Sequence, residues 1–261
     1  MAVEIKSKAD IEKMRATCRL AASVLDYIAP HVVPGVTTGE LDKLCHEYIV
    51  RNGAYPSPLN YKGFPRSICT SVNEVVCHGI PGDRALKSGD IVNLDITTTL
   101  DGFFGDCSEM FVVGETSAEA KKLIDVTREA LWLGIAEVGP NKRIGDIGAA
   151  IFEFAHVRNG YGVVEAFCGH GIGREFHMPP QVSHVGKRGN GLRMKPGMTF
   201  TIEPMINIGS PHCDILADGW TAVTKDRKWS AQVEHTILVT EDGYEVLTLR
   251  ESAFRPKWAA A

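Results

Sequence analysis

Two periods of apolar residues alternate along the chain, one of three to four residues and one of two, and the alternation occurs twice. Ser7 opens SKADIEKMRATCRLAASVLDY, in which Ser7 and Asp10 form a capping-box pattern before apolar positions return at helical spacing. A helix to about Tyr27 is expected there. PGVTTGELDKLCHEYIVRNG predicts a second helix, with Gly53 placed to end it. Further on, SGDIVNLDITTTLDGFFGD alternates and is rich in β-branched residues, and Leu100-Asp101-Gly102 supplies a hairpin turn. The order then recurs. SAEAKKLIDVTREALWLGIAEV is a long amphipathic stretch followed by PNKRIGDIGAAIFEFAHVRNG, and PGMTFTIE and SAQVEHTILV read as strands.

The recurrence is in register. Pro34 with Gly39-Glu40-Leu41 answers Pro140 with Gly145-Asp146-Ile147 at an offset of 106. Arg51-Asn52-Gly53 answers Arg158-Asn159-Gly160 at 107, and Asp95 answers Glu203 at 108. These matches predict an internal duplication, with halves of about residues 5–115 and 116–249 meeting near Gly114 to Ser117. Together they are expected to form a single domain over residues 1–250, the catalytic one if the chain is an enzyme. A tail, residues 251–261, extends past the last strand and is expected to fray. The tripeptide His-Gly-Ile occurs at His78 and His170, but its offset of 92 is out of register. The two histidines are therefore read as having separate roles.

Composition narrows the class. With 261 residues, 44% hydrophobic and 23% charged, the chain has the balance of an ordinary globular protein. A net charge of −4 carries no signature of a nucleic-acid substrate. The local cluster of Lys187, Arg188, Arg193 and Lys195 reads first as a solvated loop, with ribosome contact the minority reading. No apolar run approaches the roughly 20 residues of a membrane span. The N-terminal stretch is charged, and the seven cysteines form no Cys-x-x-Cys pair. A reducing, cytoplasmic location is expected.

Four acids change the picture. Asp95 and Asp106 flank the hairpin turn on one face, opposite or diagonal to each other, which sets them roughly 5 to 7 Å apart. Taken alone they read as solvated surface acids. Glu203, however, ends the apolar TFTI before Pro204, and Glu234 lies among the apolar neighbours of SAQVEHTILV. Burying four carboxylates without cations is prohibitive, and divalent metals resolve it by a site that activates water. His170, between Gly169 and Gly171, offers a nitrogen ligand. His31, His46, His156, His184 and His212 read as structural, as does His235, which points away from Glu234. His78 and His177 lie in loops that favour function.

ICTSVNEVVCHGIPG, GDIVNLDITTTLDGFFGDCSEMFVVG, GHGIGREFHMPPQV, MTFTIEPMI and VEHTILVTEDG together resemble the methionine aminopeptidases, from about Ile5 to Leu249. The resemblance implies the α+β pita-bread fold, an antiparallel sheet with helices packed outside in two pseudosymmetric halves. It implies two divalent ions (cobalt, manganese, iron or zinc) on Asp95, Asp106, His170, Glu203 and Glu234, with Asp106 and Glu234 bridging. His177 would meet the scissile carbonyl, His78 the amide nitrogen, and Glu203 would also shuttle a proton. Tyr61, Phe64, Cys69, Phe176 and Trp220 match a methionine pocket, and Asn73, Val75 and Ser230 match a site for one sodium or potassium ion. Lys62, Pro58 and Phe64 depart from residues common in bacterial relatives.

Only 25 residues separate His177 from Glu203, which leaves no room for a type 2 insert and implies a type 1, bacterial-style member. Its expected substrates are nascent polypeptides and peptides beginning with methionine and carrying a small second residue, and a monomer is expected. A prolidase or aminopeptidase P, and a non-catalytic pita-bread protein that binds RNA or ribosomes, are the competing readings.

Overall fold

The structure, a computed structural model, describes residues 3–259. The first helix, α1, spans Lys8–Ile28, and α2 spans Thr38–Arg51. Both begin at reciprocal capping boxes, Ser7 with Asp10 and Thr37 with Glu40, which satisfy backbone N–H groups that the first turn leaves free. Helix α3 spans Ala118–Ile135 and α4 spans Ile144–Phe152, the latter running on into a wide π turn, Glu153–Arg158. Helix, helix and strands thus follow one another in the same order twice.

The strands of the first part are β1 (Tyr55–Pro56), β2 (Cys69–Val72), β3 (Val75–Cys77), β4 (Ile91–Leu100) and β5 (Phe103–Val112). Next come β6 (Gly162–Val163), β7 (Gly169–Gly171), β8 (Met178–Val182), β9 (Thr199–Ile202) and β10 (Met205–Asn207). The last are β11 (Cys213–Ile215), β12 (Ala222–Thr224), β13 (Ser230–Gln232), β14 (His235–Val239) and β15 (Tyr244–Val246). Every pairing is antiparallel. β4 is central in one sheet, with β5 on one side and β1 and β2 on the other; a second runs β15-β14-β9-β7-β8.

Helices cover these sheets from outside. The stripe of Met14, Cys18, Ala21, Leu25 and Ile28 on α1 is buried, each large aliphatic contributing about 1.5–3 kcal/mol. α1 lies so close to β5 that a Cβ on Gly105 would stand 2.7 Å from the Cys18 nitrogen. One apolar cluster gathers around α1, α2 and β4, and another around α3, α4 and β9, with Trp132, Phe103 and Phe200 the largest fully buried side chains. No helix among the described residues is long and apolar enough to cross a membrane. All seven cysteines are free thiols, five of them buried.

Two expectations change. SAQVEHTILV does not form one strand: it breaks at Val233–Glu234 into β13 and β14. The backbone of Glu234 turns instead to Ser108 on β5, accepting from its N–H at 3.4 Å and donating to its carbonyl at 3.2 Å. The tail does not fray over its described part. Phe254 O accepts the Trp132 indole N–H at 3.0 Å, Trp258 donates to Glu129 at 2.8 Å, and Ala259 is buried against α3. Residues 260–261 lie outside the described residues.

Candidate metal centre and substrate cavity

The hairpin register settles how the first two acids meet. Leu100 pairs with Phe103, so Asp95 faces Ser108 and Asp106 faces Thr97. Asp95 and Asp106 are thus diagonal neighbours on one face. Thr97, directly opposite, donates its hydroxyl to Asp106 Oδ1 at 2.7 Å.

The other two acids sit where strands change sheets. β9 stops at Ile202 and β10 starts at Met205, leaving Glu203 and Pro204 between them; Glu234 occupies the matching break between β13 and β14. β9 pairs with β14 whereas β10 pairs with β13, so both runs leave one sheet for another at the same level. The bridge to Ser108 then brings Glu234 to the Asp106 strand, and the Thr236 hydroxyl, donating to Asp106 O at 2.7 Å, fastens it there. Thr201 donates to Glu203 Oε1 at 2.7 Å, and Gln232 donates to Oε2 at 3.3 Å.

His170 on β7 completes the cluster. Its Nε2 stands 3.7 Å from Asp106 Oδ2 and 3.6 Å from Glu203 Oε1. One ligand atom each from Asp106, His170 and Glu234 lies within 4.8 Å of the others. Asp95 lines the same cavity, which measures about 300 Å³. The structure therefore brings the five proposed ligands to one place.

The electrostatics of this cluster are unfavourable as it stands. Burial, followed by the repulsion of Asp95 and Glu203, holds the Asp106 carboxyl well above the carboxylate range. Burial does the same for Glu234, with added repulsion from Asp106, Glu203 and Asp95. Asp95 and Glu203 shift the same way, again through burial first. Among the described residues no lysine or arginine nitrogen stands within 4.0 Å of any of the four. Glu234 Oε1 is buried and has no hydrogen-bond partner among them. An orphaned carboxylate oxygen within an unpaired acidic cluster, with an imidazole beside it, is what a hard to borderline divalent cation fits.

The two remaining histidines flank the acids. His78 takes φ +56, a left-handed conformation that turns its ring into the cavity. Gly79 behind it presses on β2, where a Cβ would meet Thr70 O at 2.1 Å. The His78 ring lies edge-on to Phe167 and Trp220. His177 is exposed at the opening, its centroid 4.2 Å from that of His170, and its Nδ1 is 2.9 Å from the Tyr61 hydroxyl. Desolvation of the ring edge that faces the cavity, then the neighbouring His170, His78 and Lys62, push the His177 pKa down to about 3 although the residue is exposed on its outer side.

Phe64 and Trp220 meet edge to face at 5.2 Å, and with Tyr61, Cys69 and Phe176 they line the apolar wall. Pro58 and Lys62 are at the same opening. Asn73, Val75 and Ser230 lie apart from this cavity: Ser230 N donates to Asn73 O at 2.8 Å, and the Asn73 side chain is engaged by Asp90 and Ile91. His212 and His31 are remote from it, whereas His184, read as structural, accepts the Glu203 N–H at Nε2, 3.1 Å away. Sequence reading passed over Thr97, Thr201, Gln232 and His184. Thr97 was findable, since the hairpin register that relates the two aspartates puts it opposite Asp106. The others depend on contacts across strands with no sequence signal.

Residues 12–241 match the model of metallopeptidase family M24. The chain is 55% identical over 250 residues to methionine aminopeptidase A of Synechocystis sp., covering 95% of this chain and 98% of that one. The crystal structure of methionine aminopeptidase from Rickettsia prowazekii superposes with a TM-score of 0.94 at 52% identity, over 95% of this chain and all of that one (100%). Prolidase from Pyrococcus furiosus, at 20% identity and a TM-score of 0.75 over 95% of this chain and 66% of its own, shares the fold.

Proposed function

The chain belongs to metallopeptidase family M24, among its methionine aminopeptidases, and from that footing we propose that it removes the initiator methionine from nascent proteins and peptides with a small second residue. The observation that carries this reading is the convergence of four carboxylates, Asp106 and Glu234 buried and Asp95 and Glu203 half-buried, and one imidazole on a single cavity with an apolar wall. Asp95, Asp106, His170, Glu203 and Glu234 would hold two divalent ions. Such ions, when bound, supply Lewis acidity for a carbonyl and lower the pKa of water toward neutrality.

The chain's own side chains do the rest. With the Tyr61 hydroxyl donating to Nδ1, the neutral His177 ring carries its proton on Nε2, from which it donates to the scissile carbonyl oxygen and the charge developing there. His78, kept neutral by burial, is directed by its left-handed backbone toward the scissile amide nitrogen. Glu203, whose pKa burial raises, is suited to take a proton and return it to the departing amine. The slot walled by Cys69, Phe64, Trp220 and Phe176 accepts an unbranched, polarisable side chain, and methionine is such a residue.

The test is release of methionine from Met-Ala-Ser by chelator-treated protein, before and after divalent ions are restored. Turnover returning with manganese, iron, cobalt or zinc is expected. Release that survives chelation, or cleavage of X-Pro peptides with Met-Ala-Ser untouched, would overturn the reading.

A further inference from the structure

Lys62 is the only lysine or arginine among the described residues that line the acid-bearing cavity. It is exposed, and no carboxylate among the described residues stands within salt-bridge distance of it. The backbone fixes where its side chain starts. Asn60, Lys62 and Gly63 all take positive φ, at 64°, 47° and 88°, and the tight turn is closed by Asn60 N–H to Phe64 O at 2.8 Å and Phe64 N–H to Tyr61 O at 2.9 Å. A lysine at φ 47° is strained where glycine would not be, and strain of this kind gathers at functional sites.

The ammonium lies 5.2 Å from the Tyr61 ring centroid, and that ring lies 5.2 Å from the His177 ring. Lys62 Nζ is therefore within about 10 Å of the histidine that the proposed mechanism places at the scissile carbonyl. An extended peptide advances roughly 3.4 Å per residue, so the third residue of a substrate passes through that radius on its way out. Once cations compensate the four acids inside, Lys62 is the charged side chain left on the cavity lining among the described residues.

We propose that Lys62 is a specificity residue that favours peptides with an acidic third residue and disfavours those with a basic one. The inference rests on the methionine-releasing reading above. An exposed charge pair of this kind changes rates modestly, by roughly two- to fivefold in kcat/KM.

The experiment compares Met-Ala-Glu-Ser, Met-Ala-Gln-Ser and Met-Ala-Lys-Ser with the cation-loaded wild type, Lys62→Gln and Lys62→Glu, the glutamine peptide serving as reference within each protein. The wild type is expected to rank Glu above Gln above Lys at low salt, with the spread closing near 1 M salt, where screening acts within about 3 Å. Lys62→Gln is expected to flatten the ranking and Lys62→Glu to invert it. A flat series in the wild type, or the wild-type ranking retained in Lys62→Gln, overturns the assignment while methionine release stands. No methionine release from any peptide overturns the functional reading and this inference with it.

Discussion

Replacing Glu234 by Gln is expected to make the cation-free protein more stable while abolishing its stabilisation by metals. Glu234 is 2% exposed, its Oε1 has no partner, and three other acids repel its charge. Its folded pKa lies well above the ordinary 4.5. A group raised in this way contributes fully below its unfolded pKa, and that contribution is lost as pH rises toward the folded value. The penalty in the cation-free wild type therefore grows from about pH 5 upward. At about 1.36 kcal/mol per pH unit, three and a half units set a ceiling near 5 kcal/mol at about pH 8.

Glutamine has nearly the same shape and never ionises, but its amide forgoes about 1–3 kcal/mol for unmet hydrogen bonds. The net gain near pH 8 is therefore at most roughly 2–4 kcal/mol, a Tm higher by up to about 15 °C. Near pH 5, where the charge penalty is under about 1 kcal/mol, the amide cost leaves the variant no more stable than the wild type. Thermal melts followed by circular dichroism on chelator-treated protein at both pH values measure it. Added divalent ions should reverse the order, since a ligand at a thousand times its Kd adds about 4.1 kcal/mol to the wild type alone. A variant no more stable than wild type near pH 8 in chelator would refute the reasoning, because the acids would then not be an uncompensated cluster.

Thr201→Val removes the hydroxyl that orients Glu203, and cation affinity should fall about 10- to 100-fold in a competition titration against a chromophoric chelator; unchanged affinity would dismiss the role. Tyr61→Phe keeps the ring and deletes the bond to His177 Nδ1, so kcat should drop roughly 5- to 30-fold with KM nearly constant, and a change in KM alone would mean that the ring only packs. His177→Ala should lower kcat by about 10²–10³ with cation affinity near that of wild type. Lost cation binding, with turnover recovered at high metal concentration, would move His177 into the ligand set.

The parts of the fold governed by local chemistry were readable from residues. Ser7 with Asp10 announces α1, and the Asp101-Gly102 turn puts Asp95 and Asp106 on one face, while the pairing of Leu100 with Phe103 was needed to make them diagonal. The sheet change at Glu203 and Glu234 was not readable, because SAQVEHTILV alternates like an unbroken strand and only the competing partner, Ser108, breaks it. The tail misled for a similar reason: FRPKWAAA lacks periodicity, yet Trp132 offers it a hydrogen bond across 122 residues of sequence. Among site residues, charged and imidazole groups stand out by type, whereas Thr201, Gln232 and His184 act through partners that sequence spacing does not reveal.

The free thiols give the molecule its own reporters. Burial lifts the thiols of Cys18, Cys45, Cys69, Cys77 and Cys107 far from ionisation, so an alkylating reagent finds few thiolates to attack while the chain stays folded. Cys69 alone of these faces the cavity. Its thiol is held from ionisation by burial and by the neighbouring Asp95, so like the other four it is carboxymethylated only when the protein opens. Mass spectrometry of the labelled peptides thus reports, thiol by thiol, whether the cavity wall and the two halves open together.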